Sequence, residues 1–184
     1  VIAIPISFSV SAQDSTPTLG IEEIIVTARK KDESIQDVPM AVTAITEQLR
    51  ESSVRRIEDI QAFAPNLFIN RTPGIASGAA ITIRGVASLE SDKSYEPSIG
   101  VVMDGMFLGT SSGVLLDNFD IERIEVLRGP QGTLFGKNTT GGILNVIRTP
   151  VSLNEMGADL SLTVGDFGRQ DVKAVVQLPI IEDT

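Results

Sequence analysis

Between two β-branched runs, residues 121–127 and 143–147, the chain places Gly129, Pro130, Gly132, Gly136, Gly141 and Gly142. Glycine at that density cannot sustain a regular element, because it loses more conformational freedom on ordering than any other residue. What it permits is tight turning and close approach of one backbone to another. The stretch therefore predicts two strands joined by a tightly folded loop. Charges cluster on the entering strand: Arg123, Glu125 and Arg128, with Glu122 and Glu125 both able to pair with arginine. A solvated, charged edge strand would carry the same pattern.

The rest of the chain fits an α+β domain over residues 38–150. Val38, Met40, Val42 and Ala44 alternate with other residues and suggest a strand. Thr46 can cap a short helix with Glu47 in its first turn, and Ser53 a second one. On that second helix Ile57, Ile60 and Ala64 share a face, and Pro65 ends it. Residues 80–85 read as a brief strand closed by glycine and residues 99–103 as another, followed by the tight-turn pair Asp104-Gly105.

The ends differ in texture. Residues 1–12 read as the tail of a secretory signal peptide, an apolar stretch closing on Val10-Ser11-Ala12. Residues 13–37 are expected as a flexible leader carrying one β-branched run, Glu23, Ile24, Ile25, Val26, Thr27 and Ala28, with no obvious sequence neighbour to pair with. Such a segment is either an ordinary edge strand or one that adds to a partner's sheet. After Pro150, Ala158, Leu160, Leu162 and Val164 alternate with polar residues, and Val172, Ala174, Val176 and Leu178 repeat the pattern beyond a glycine turn. Period-2 strands of this kind suit a membrane barrel or a soluble hairpin equally.

Several function classes are excluded. Cysteine and histidine are absent, which removes Cys/His zinc sites, thiol nucleophiles and imidazole-based triads. With 24 acidic against 15 basic residues the chain lacks the positive surface that nucleic acid requires. Gly136-Lys137 hints at a phosphate loop, but Gln131 and Asn138 stand where glycine and a hydroxyl are needed. The acid pairs Asp117/Asp120 and Glu122/Glu125 read as surface carboxylates near a turn. No enzyme, cofactor or metal site is expected.

The stretch IERIEVLRGPQGTLFGKNTTGGILNVIRTP closely resembles the closing motif of the plug domain in TonB-dependent outer-membrane receptors. Further landmarks agree in order over residues 22–150: Val38-Pro39, the 57–65 helix with Asn66-Leu67, Ile83-Arg84-Gly85, and the strand ending in Asp104-Gly105. Glu23 to Ala28 looks like the TonB box. The resemblance implies a small mixed β-sheet with short helices, then the first antiparallel strands of a transmembrane barrel in residues 151–184. In the family such a plug fills a barrel of about 22 strands. The protein would import a scarce nutrient, first of all a metal chelate such as a ferric siderophore, across the outer membrane of a Gram-negative bacterium. TonB would be the periplasmic partner and the barrel the structural one. The resemblance also implies plug–barrel locking by Arg84, Arg123, Glu125 and Arg128. Polar, glycine-rich stretches at 71–78, 88–97 and 107–113 are the expected apical loops, offering Arg71, Lys93, Tyr95 and Phe107 to ligand. The rival readings are a stand-alone periplasmic α+β binding domain and a non-functional truncated gene product.

Overall fold

The computed structural model describes residues 23–46, 49, 56–72, 78–87, 96–109, 120–151 and 156–178. Five strands form the central sheet: β3 (Ala41–Ile45), β7 (Ile99–Met103), β8 (Met106–Leu108), β9 (Ile121–Arg128) and β10 (Gly142–Arg148). Their spatial order is β3-β9-β10-β7-β8, with β10 and β7 parallel and the other pairs antiparallel, so the sheet is mixed. β9 and β10 are central. Each must be covered on both faces, which explains why their residues read as nearly continuous apolar runs.

One face is covered by a second sheet, β4 (Leu67–Arg71), β5 (Ala79–Ile83) and β6 (Val86–Ala87), together with a 3-10 helix at Ile57–Ala62. Ile124 and Val126 of β9, Leu144 and Val146 of β10, and Ile99 and Val101 of β7 meet Ile57, Ile60, Ile69, Ile81 and Ile83 there. Ile57, Ile60 and Ala64 are buried as expected, but the helix is a 3-10 helix that covers only Ile57–Ala62, so Ala64 lies beyond its end and Pro65 does not terminate it. Its bonds run three residues back, from Asp59 N–H to Arg56 O at 3.0 Å and from Phe63 N–H to Ile60 O at 2.9 Å. That winding eclipses positions three apart and stacks Ile57 on Ile60. Thr46, the expected cap of the first helix, accepts the Leu49 N–H on its carbonyl oxygen at 3.0 Å, while Glu47 of that first turn and the second cap, Ser53, lie outside the described residues.

The opposite face carries Val102, Leu127 and Ile143, covered by Val26, Ala28 and Val38. These come from the N-terminal segment, where β1 (Ile25–Val26) pairs antiparallel with β2 (Glu33–Ser34). Within the expected leader, residues 23–37 thus hold two paired strands and a 3-10 turn, and the run at 25–26 does have a sequence neighbour. The intervening turn makes the pairing: Lys30 adopts φ 59° and donates its N–H to Thr27 O at 2.8 Å. Glu33 ties down Arg29 and Lys31 at 3.0 and 2.9 Å. The strand expected from Val38 starts at Ala41, because Pro39 has no N–H to offer and Met40 closes a tight turn back to Val38 O at 2.8 Å.

At the C-terminal side β11 (Gly157–Gly165) and β12 (Arg169–Gln177) form an antiparallel hairpin. Leu160, Leu162, Val164, Val172 and Val176 are exposed along it. No helix among the described residues is long and apolar enough to cross a membrane.

Candidate functional site

The polar centre of the molecule lies beneath the 23–28 segment. Along β9 the side chains alternate, so Ile124 and Val126 enter the first core while Arg123, Glu125 and Leu127 face the N-terminal segment. Asn145 sits directly across from Glu125 in the β9–β10 register. Glu125 is fully buried and Arg123 and Asn145 nearly so. A carboxylate in that position requires donors on both oxygens. Oε1 accepts from Arg123 Nε at 3.0 Å and Oε2 from Asn145 Nδ2 at 3.0 Å. Arg123 also reaches Glu122 at 2.7 Å.

Thr27 completes the cluster from the covering layer. Its N–H donates to Glu125 Oε1 at 2.7 Å and its hydroxyl to the same oxygen at 3.1 Å. The hydroxyl oxygen in turn accepts from Asn145 Nδ2 at 3.3 Å and Arg123 at 3.4 Å. Val26 and Ala28, on either side of Thr27, are fully buried, whereas Glu23, Ile24 and Ile25 are exposed. The segment is thus seated through one threonine flanked by two small or β-branched residues.

A second feature is a pair of arginines. Arg84 occupies the two-residue turn between β5 and β6 with Gly85, at φ 51° and 81°. Both values are left-handed, as a two-residue hairpin demands. This turn is pressed against the start of β10, where a Cβ on Gly141 would lie 2.8 Å from Val86 Cγ1. Arg128 ends β9 nearby and donates to the Thr43 hydroxyl, while its Nε is buried without a hydrogen-bond partner. Burial holds the Arg128 guanidinium below its usual range, and the like charge of Arg84 adds to the effect. Among the described residues no carboxylate stands within ion-pair distance of either.

The four residues grouped from sequence as locking charges therefore fall into two sites: Arg123 and Glu125 under Thr27, Arg84 and Arg128 at the turn. Of the expected ligand contacts, Lys93 and Tyr95 lie outside the described residues. Arg71 ends β4 and pairs with Glu58 at 2.9 Å. Phe107 is not in a loop but in the middle of β8, half-buried against the second core. The two-residue Asp104-Gly105 turn leaves too little loop to hold it. Sequence patterning does not single out Asn145, whose one signal is a lone amide between Leu144 and Val146 in an apolar strand.

A mixed sheet thus holds an N-terminal strand across one face and, among the described residues, an arginine pair without an acid partner. Residues 34–143 match the TonB-dependent receptor plug domain, and the chain belongs to that family. The vitamin B12 transporter BtuB of Vibrio vulnificus (strain CMCP6) is 26% identical over 155 residues, covering 82% of this chain and 24% of that protein. The pesticin receptor of Yersinia pestis is 32% identical over 127 residues, covering 67% and 18%. Among solved structures, the ferric yersiniabactin uptake receptor FyuA from Yersinia pestis superposes with a TM-score of 0.56 at 27% identity, covering 67% of this chain and 18% of that one. The pyoverdine outer membrane receptor FpvA from Pseudomonas aeruginosa PAO1 gives 0.66 at 18% identity, covering 83% and 21%, a likeness of fold alone. The chain spans between 18% and 24% of the length of these relatives.

Proposed function

We propose that this chain is the plug end of a TonB-dependent importer in the outer membrane of a Gram-negative bacterium, with β11 and β12 opening the barrel that surrounds it. The observation that carries this reading is the seating of the 23–28 segment: a β-branched strand on the face of a plug-family sheet, fixed by a small number of contacts. TonB would draw on this segment by adding a strand to it, the mode in which main-chain hydrogen bonds supply affinity and alternate side chains specificity. Outward-facing Ile24 and Ile25 are the side chains such a partner would read first.

The barrel supplies the second partner. A partly buried guanidinium that also feels a second like charge is unfavourable unless carboxylates meet the pair, and barrel acids facing Arg84 and Arg128 would do so. The substrate class follows from a relative named for ferric yersiniabactin: a ferric siderophore, with cobalamin as the second reading because another relative is named for vitamin B12. Arg71, Lys93 and Tyr95 are the proposed contacts for an anionic chelate, and Phe107 is assigned to packing. The chemistry is binding and gating, without catalysis or a resident cofactor.

The test is uptake. The full-length gene is expressed in iron-limited cells lacking their own receptors, and entry of labelled ferric chelates and labelled cobalamin is followed with and without TonB. Ferric chelate entry that requires TonB is expected. Entry of cobalamin alone reassigns the substrate, and no TonB-dependent entry of either overturns the importer reading.

A further inference from the structure

The cluster under Thr27 is arranged unlike a structural ion pair. Arg123 and Asn145 place one donor on each oxygen of Glu125, both at 3.0 Å. The shortest contact on the carboxylate, at 2.7 Å, belongs instead to the Thr27 N–H, which comes from the covering segment. If that segment leaves, Glu125 keeps a donor on each oxygen. Undocking therefore does not strand a buried charge, the event that makes breaking a buried pair so costly. What is lost is the contact of Thr27 and the seating of Val26 and Ala28 on Leu127, Ile143 and Val102.

A partner that adds a strand needs free main-chain groups. In the docked segment the Thr27 N–H is given to Glu125, and Ile24 O accepts the Ile35 N–H at 2.9 Å. Docking on Glu125 and donation of the Thr27 N–H to a partner strand exclude one another.

We propose that Glu125, braced by Arg123 and Asn145, is a resettable latch that keeps the TonB-binding segment docked and so sets the fraction of receptors that present it. Glu125 is then a positioning residue for energy coupling, acting through Thr27. This assignment rests on the reading of residues 23–28 as the TonB contact. The apparent affinity for TonB is the intrinsic affinity scaled by the undocked fraction.

The test uses the full-length receptor in lipid nanodiscs without substrate, as wild type, Glu125→Gln and Thr27→Val. Two quantities are read: hydrogen exchange of the amides of residues 24–28, and affinity for the periplasmic domain of TonB. Weakening a charge-assisted bond should raise the undocked fraction, and with it both readouts, about tenfold in Glu125→Gln. Thr27→Val, which keeps the N–H bond, should speed exchange by a smaller factor. Exchange across β10 should stay at the wild-type rate in both, which a merely structural role for Glu125 would not allow. Equal exchange at 24–28 in all three proteins overturns the latch, and so does loosening that spreads through β10. Should Glu125→Gln fail to reach the membrane, Thr27→Val carries the exchange test, since its change lies in the covering layer. A synthetic peptide of residues 20–31 separates the two levels. Failure of the TonB domain to bind it removes the underlying reading and the coupling role with it. Peptide binding with unchanged receptor variants overturns the latch alone.

Discussion

Among the glycines of residues 129–142, sequence could say that tight turning was needed but not which position tolerates nothing else. A Cβ on Gly129, Gly132 or Gly136 would meet open space. One on Gly142 would lie 2.3 Å from Leu127 O and 3.1 Å from Ile83 Cδ1, at φ 145°. The first contact is to backbone in the central strand, which cannot swing away as a side chain would. Gly142→Ala is therefore expected to destabilise the chain by about 2–4 kcal/mol in urea denaturation, combining left-handed strain with a steric displacement of β9. A loss near zero would mean that β9 and β10 separate more readily than their register implies. Arg84 shows the converse. Its left-handed turn would be better served by asparagine, so the turn alone does not account for an arginine at this position.

Elements were legible where a short-range signal governs them. The strand at 99–103 and its Asp104-Gly105 turn were read directly, since both turn residues must be left-handed and are, at φ 47° and 81°. β4 is not legible in the sequence because Phe68, exposed between Leu67 and Ile69, hides the alternation. What sequence could not show is that the Asp104 turn is tied to the far end of β10. Arg148 donates its N–H to Asp104 Oδ1 at 2.9 Å and its side chain pairs with Oδ2 at 2.5 Å. Burial raises the Asp104 carboxyl, but the backbone and side-chain bonds from Arg148, with its charge, outweigh that and leave it below the ordinary 3.8. A carboxyl held lower in the folded chain adds stability that is present above its unfolded value and lost as pH falls through the folded one. Asp104→Asn keeps a residue that accepts the left-handed backbone and removes the charge. It should flatten the acid limb of the stability curve below about pH 4, read by urea denaturation at stepped pH. An unchanged limb would assign the acid dependence to other carboxylates.

For the whole molecule, the five-stranded sheet divides two layers of different character. The layer of β4, β5, β6 and the 3-10 helix packs on the sheet through apolar side chains, while the N-terminal layer also hangs on Thr27 and its polar cluster. The β11–β12 hairpin adds a row of exposed aliphatic side chains, with Leu162 at 67%. In water a polar substitution there costs little, whereas at a bilayer midplane an arginine costs about 2–4 kcal/mol. Leu162→Arg should therefore leave urea denaturation of this chain unchanged, yet reduce the amount of full-length receptor recovered in outer membranes. Equal recovery would place Leu162 away from lipid. By itself the sequence determined the fold class, the strands with clear periodicity, the glycine turns and the family, because each depends on residues near one another in the chain. Only the tertiary structure decided that Thr27 rests on Glu125, 98 positions away, and that the charge of Arg84 acts on Arg128. Those partners are chosen by strand order and by which face of β9 each side chain occupies. Neither leaves a periodic trace along the chain.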